Sequence, residues 1–399
     1  MDQPGSRKLI ILLTALVALG PVSISLYIPS MPAIGAEFGV NAGLVQRSFT
    51  IFIAGFAAAQ LVYGPLADRF GRRPVLIGGL FLYIAASLAC AVSPSIKVFL
   101  VARLIEGLGA CVGPVVARAV VRDRFERADA VRAFAFIGTA IAIAPALGPL
   151  IGGFLEVWLG WRSAFLFLVG YGALMTGLVL ARLEETIPMR DPEATSPVRL
   201  IRNYSSLLSN GRYLGYLAPI TFSFGGLFAY NAAAPFLFID EIGLSPDHFG
   251  MLAVFTVAGY ATGSWLAGWL GGRIETRRTV ITGLAAMGVA TAAMLLLSGE
   301  LSLVRVIAPM VLFVFGFGLL MPSCTAAALH PFPRIAGSAS AMMGFLQMGI
   351  GAGSSLVISL VYDGAATSLA VVMAIMAVLA GAGFLALAPA AEEATAREG

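Results

Sequence analysis

Apolar stretches long enough to cross a bilayer, a length of about 20 residues, recur twelve times along this chain. A chain patterned in this way has few options. In hydrocarbon every backbone N–H and C=O must find its partner within the protein, so each stretch reads as a helix. The expected limits are 9–29, 44–66, 74–93, 98–118, 133–154, 163–182, 213–238, 249–271, 279–298, 303–325, 337–361 and 367–388. Composition agrees, with 59% of the 399 residues hydrophobic and 12% charged; soluble domains carry about 25% charged residues. The expected fold is all-α integral membrane, with twelve transmembrane helices. Arg7 and Lys8 precede the first apolar run, which is long and has no small-x-small cleavage site, so it reads as an uncleaved first span.

One long polar segment interrupts the pattern. Residues 183–212 hold Glu184, Glu185, Arg190, Asp191, Arg199 and Arg202 among Pro188, Pro192 and Pro197. This reads as a linker between an N-terminal six-helix bundle, 1–182, and a C-terminal one, 213–399, that ends in a short tail. The two halves repeat each other. "GPLADRFGRR" from Gly64 and "GWLGGRIETR" from Gly268 share G-x-L-x-x-R-x-x-x-R at an offset of 204. At that same offset "EFGV" at Glu37 meets "EIGL" at Glu241. Pseudo-symmetric halves of this kind are a transporter architecture. Placing both termini in the cytoplasm puts 20 of the 25 basic residues on the inner side. Arg47, Lys97, Arg162 and Arg305 fall outside and Arg103 falls within a helix, the bias that cytoplasmic loops carry.

"GPLADRFGRRP" joins the second and third helices. A basic turn accounts for its arginines but not for Asp68 or the glycine spacing. The stretch resembles the loop signature of the major facilitator superfamily, carried by Gly64, Leu66, Asp68, Arg69, Gly71, Arg72 and Arg73. The resemblance implies a cytoplasmic charge latch built on Asp68, Arg69, Arg72 and Arg73, joined by Arg118 and Asp123. "RLIEGLGACVGP" resembles the family's helix-4 motif through Arg103, Gly107 and Gly109. "APALGPLIGG" resembles the helix-5 motif of its drug/proton antiporters through Ala144, Gly148, Pro149, Gly152 and Gly153. Small residues four apart let helices approach closely, which is the plainer reading of the same glycines. "LYIPSMPAI", "ARAVVRD" and "AGSASAMMGFLQM" are similar to the bicyclomycin/chloramphenicol-resistance exporters.

One departure redirects attention. The first helix has no carboxylate, and Ser23 and Ser25 stand where such exporters carry an acid. Arg103 and Glu106 are then the deep charges. They lie three apart and share a helix face. They read either as a neutralised packing pair or as a protonatable site facing the cavity; burial opposes the ionised carboxylate and the cation favours it. Tyr27, Glu106, Phe228, Tyr230, Asn231, Met321 and Gln347 are candidates for the cavity lining, each equally readable as core packing. Glu37, Asp240, Glu241 and Asp363 read as solvated helix ends.

The expected function is proton-coupled export of small, moderately hydrophobic compounds by alternating access, from a bacterial cytoplasmic membrane and as a monomer. An exporter of a metabolite such as a sugar, an amino acid or a biosynthetic product is the alternative, with a proton symporter behind it. Expected partners are the substrate, protons and lipid, with no nucleic acid. No cofactor or metal is expected: there is no nucleotide-binding G-x-x-x-x-G-K-[ST] sequence, and the three cysteines lack ligand spacing. An enzyme would need clustered nucleophiles, bases or ligands, and the two histidines lie far apart.

Overall fold

The computed structural model describes residues 4–125, 127–187 and 189–388. Pro188 of the linker and the tail beyond residue 388 lie outside the described residues. Twelve helices are long and apolar enough to cross a membrane, and no strand occurs among the described residues. Spans 1 to 6 are Arg7–Phe38, Ala42–Phe70, Arg72–Ala91, Ile96–Arg124, Phe136–Leu159 and Arg162–Arg182. Spans 7 to 12 are Gly211–Glu241, Pro246–Leu270, Thr276–Leu297, Leu303–Leu329, Ala336–Val361 and Ala366–Leu387. Their number and order match the apolar pattern. Several run past the expected limits because helices continue into water where hydropathy falls.

Two compact units form. One holds Met1–Leu200 with Leu244–Ala253, and the other Ile201–Gly243 with Val254–Gly399. The offset of the sequence repeat recurs in the backbone. Gly39 and Gly243 are 204 residues apart and both left-handed, at φ 62° and 83°. Gly160 and Gly364 share the offset and the conformation, at φ 77° and 87°. Side chains disfavour this region, so glycine holds the turn in each copy.

In the first unit, span 1 is not continuous. Its helix runs to Ser25, a 3-10 turn covers Ile28–Ser30, and a second helix runs Met31–Phe38. Pro29 and Pro32 supply no N–H for an uninterrupted ladder, which forces the break. The break seats Tyr27 in the interior, fully buried. Around it Phe99, Trp161 and Phe165 meet edge to face, with centroids 5.4 to 6.0 Å apart. In the second unit, Phe224, Phe317 and Tyr260 form a similar chain, at 5.2 and 5.5 Å. Span 7 ends in a π-helical turn, Phe236–Glu241, after Pro235.

Candidate functional site

Span 4 approaches its neighbours at small residues. A Cβ on Gly107 would collide with the Phe52 carbonyl of span 2, and one on Gly109 would lie 2.6 Å from the Tyr83 nitrogen of span 3. Gly55 of span 2 faces the Leu104 carbonyl in the same way, at 2.6 Å. Backbone approach this close leaves no room for a water-filled gap, so the polar side chains on that face of span 4 must find protein partners.

Glu106 finds them, and Arg103 does so through one of its three nitrogens. Their side chains have no exposed surface, and Arg103 Nη1 donates to Glu106 Oε2 at 2.6 Å. Ser87 Oγ donates to Glu106 Oε1 at 3.1 Å, and the Cys90 thiol approaches Oε2 at 3.5 Å. Cys90, which lacks metal-ligand spacing in the sequence, thus has a polar partner in the fold. The guanidinium carbon sits 4.1 Å from the Tyr27 ring centroid, 4.2 Å from Phe52 and 5.6 Å from Phe165. Nε and Nη2 of Arg103 have no hydrogen-bond partner among the described residues. The cation thus rests on one carboxylate and three ring faces, each worth about 2 kcal/mol when desolvated. Burying the two ions costs several kcal/mol apiece, so such a pair adds little to stability. The expectation that Glu106 faces an open cavity meets a different surrounding: its carboxylate is enclosed by spans 3 and 4. Of the proposed lining, only Tyr27 joins it. Ser23, at the position of the missing acid, bonds the Tyr83 hydroxyl at 2.7 Å, one turn of span 3 from Ser87.

The loop between spans 2 and 3 carries a second polar network. Arg72 Nη1 pairs with Asp68 at 2.5 Å and Nε with Asp123 at 2.9 Å. The other expected latch residues go elsewhere. Arg69 donates to Thr195 Oγ1 at 2.6 Å, Arg73 to the Leu180 carbonyl at 3.0 Å, and Arg118 back to the Pro114 carbonyl at 2.7 Å. Glu185 was missed as a member. Its carboxylate accepts the N–H groups of Arg72 and Arg73 at 3.0 and 3.2 Å, the orphan donors that open span 3. Thr186 Oγ1 donates to Asp123 at 3.3 Å. Burial works against the Glu185 charge, but N–H donors from Ile187, Arg72, Thr186 and Arg73 outweigh it and hold the carboxyl below its usual range. Two adjacent acids, Glu184 and Glu185, ending a span opposite a basic loop were the signal available in sequence.

The helix-5 glycines contact span 1 at its break. Gly148 abuts Ser25 and Gly152 abuts the Leu26 carbonyl, while Gly153 meets the Pro246 backbone. Glu37 is not merely solvated: it accepts from Trp161 Nε1 at 2.6 Å and pairs with Arg162 at 2.7 Å. In the second unit Phe228 is buried, its ring against Gly351. Tyr230 and Gln347 are also buried, and Gln347 Nε2 has no hydrogen-bond partner among the described residues. Asn231 and Met321 are half-buried. Among the described residues no group of three His, Cys, Asp or Glu could hold a metal ion.

The model of the Major Facilitator Superfamily matches residues 12–356. Multidrug resistance protein D of Escherichia coli (strain K12) is 31% identical, over 95% of each chain. A bicyclomycin resistance protein homolog of Haemophilus influenzae is 28% identical, over 92% of this chain and 94% of the relative. Among solved structures, the partially occluded inward-open xylose transporter XylE from E. coli superposes with a TM-score of 0.76 at 14% identity, covering 98% of this chain and 99% of its own.

Proposed function

The chain belongs to the Major Facilitator Superfamily, and on that premise we propose that it exports small, moderately hydrophobic compounds, antibiotics among them, by alternating access driven by inward proton flow. A multi-pass membrane protein with a small-molecule cargo is what the family implies. The proposed seat is the bacterial cytoplasmic membrane, with both termini inside and a monomer as the working unit. The relatives named for multidrug and bicyclomycin resistance support the cargo class. Asn231 and Met321 keep accessible surface, and Gln347 offers an unused donor. With Phe228 and Tyr230 they make the proposed lining in the second unit, and Tyr27 is the proposed lining residue of the first.

The observation that carries the coupling is the enclosed Glu106 carboxylate, bonded to Arg103, Ser87 and Cys90 with no exposed surface. When ionised it neutralises Arg103. When protonated it leaves the guanidinium on the rings of Tyr27, Phe52 and Phe165, and the cluster gains one net charge. Reversing a 1:99 conformational equilibrium takes about 5.5 kcal/mol. The several kcal/mol that an unpaired buried ion costs is of that size. Each proton crossing about 100 mV supplies about 2.3 kcal/mol, or roughly fiftyfold accumulation. The network of Asp68, Arg72 and Asp123, tethered by Arg69, Arg73 and Glu185, is the proposed cytoplasmic latch.

An antibiotic panel in an efflux-deficient host tests the cargo class. The expected result is resistance to at least one compound, lost on adding a protonophore. Resistance to none favours the metabolite exporter.

A further inference from the structure

The helix Pro197–Leu208, "PVRLIRNYSSLL", belongs to no span, and the transport reading gives it no role. Its exposed side chains differ by side, although exposed Ser205 lies among the apolar ones. Val198, Ile201 and Leu208 are 76%, 67% and 45% exposed and share one side at helical spacing. Leu207, further round, is fully buried and anchors the helix to the protein. Arg199, Arg202 and Ser206 are exposed on the side next to the apolar stripe. Three exposed branched aliphatics on a helix this short are costly in water, at up to about 1.5–3 kcal/mol each.

Covalent continuity says what covers them. Only Ser209 and Asn210 separate Leu208 from Gly211, where span 7 begins. Asn210 caps that span, its side chain accepting from Tyr213 N at 2.8 Å. Three residue steps reach at most about 10 Å, so the C-terminal end of the helix cannot leave the membrane boundary. Basic residues flanking an exposed apolar stripe are the chemistry of a helix lying in the headgroup layer. Arg199 also pairs with Asp191 at 2.5 Å, which fixes the preceding turn, while Arg202 is exposed beside the stripe. The free side chains therefore match an anionic lipid surface better than a soluble acidic partner, which offers nothing to Val198 and Ile201.

We propose that Pro197–Leu208 is an interfacial helix that seats Val198, Ile201 and Leu208 in the membrane leaflet beside it and sets Arg202 against anionic lipid headgroups. This goes beyond the export reading and does not depend on it. The test uses the full chain, spin-labelled at Ile201→Cys or at Ser206→Cys and reconstituted in vesicles. One set is phosphatidylcholine alone; the other contains phosphatidylglycerol as well. The label at 201 should be more accessible to oxygen than to a nickel chelate, and the label at 206 the reverse. Phosphatidylglycerol should deepen the label at 201, and Arg202→Gln should reduce that lipid effect, since one arginine near an anionic surface contributes about fivefold to binding. A water-like label at 201 in both vesicles overturns the proposal. So does a label at 201 shielded from both reagents, which would mean a protein cover. A label immersed to the same depth in both vesicles overturns the part assigned to Arg202.

Discussion

At the scale of single residues, Arg103 and Glu106 make a case where burial and charge pull in opposite directions. A fully buried ion pair contributes little to folding once desolvation is counted. The proposed coupling assigns the pair a change of state rather than a purely static contact. Glu106→Gln removes the carboxylate but keeps the shape, and its amide can still meet Ser87. The expected outcome is a protein that folds and binds cargo yet loses the pH dependence of transport; binding measured by fluorescence quenching separates the two. Arg103→Lys keeps the charge but not the planar face that rests on Tyr27 and Phe52. A loss of transport of at least about tenfold is expected, consistent with losing 1.4 kcal/mol or more. Glu185 gives a stability prediction with a definite sign. Its carboxyl titrates below the ordinary range in the folded protein, so its contribution is complete at neutral pH. That contribution fades as the pH falls below about 4.3 toward the lowered native value. Glu185→Gln should lower the melting temperature at neutral pH, by the equivalent of about 1 kcal/mol for a weakened helix cap. The gap from the parent protein should close in acid. A gap that widens in acid would reverse the assignment.

Among the elements, the close contacts of span 4 decide whether the buried pair exists at all. Gly107→Ala places a methyl against the Phe52 carbonyl, a backbone atom that cannot swing aside. A loss of about 1–3 kcal/mol is expected, as for other overpacked sites. Gly177→Ala on span 6 meets nothing within 4 Å, so it should be neutral or stabilising by up to about 1 kcal/mol. Thermal unfolding in one detergent compares the two directly. Helix number and order were legible because a bilayer demands long apolar runs, and glycine spacing marked which faces pack. The break after Ser25 and the seat of Tyr27 were less so. Pro29 and Pro32 announced a disruption, but the apolar run continues through Ile34 and hides where the helix stops. Glu185 is marked in the sequence only by the pair of acids that ends span 6 opposite a basic loop; its partners are backbone N–H groups, which single out no residue type.

For the whole molecule, the duplication was readable in side chains at two short motifs and proves readable in backbone at four glycines, 39 with 243 and 160 with 364. The charged residues duplicated only in part: Glu37, Arg69 and Arg73 recur as Glu241, Arg273 and Arg277, but Asp68, Arg103 and Glu106 do not. Gly272 stands at the position of Asp68, and the counterpart of the Arg103–Glu106 stretch at the same offset, Ile307 to Met310, is uncharged. A chain built from two copies therefore places its deep ionisable pair in one copy alone, and the proposed coupling rests there. The measurement that bears on this most directly is transport in proteoliposomes under an imposed pH gradient, with a compound identified in the resistance panel as cargo. The parent protein is expected to accumulate the compound uphill, to stop when the gradient is collapsed, and to lose uphill transport on Glu106→Gln while still exchanging cargo down its own gradient. Uphill transport by Glu106→Gln at the parent rate, or uphill transport by the parent that ignores the pH gradient, would contradict the account.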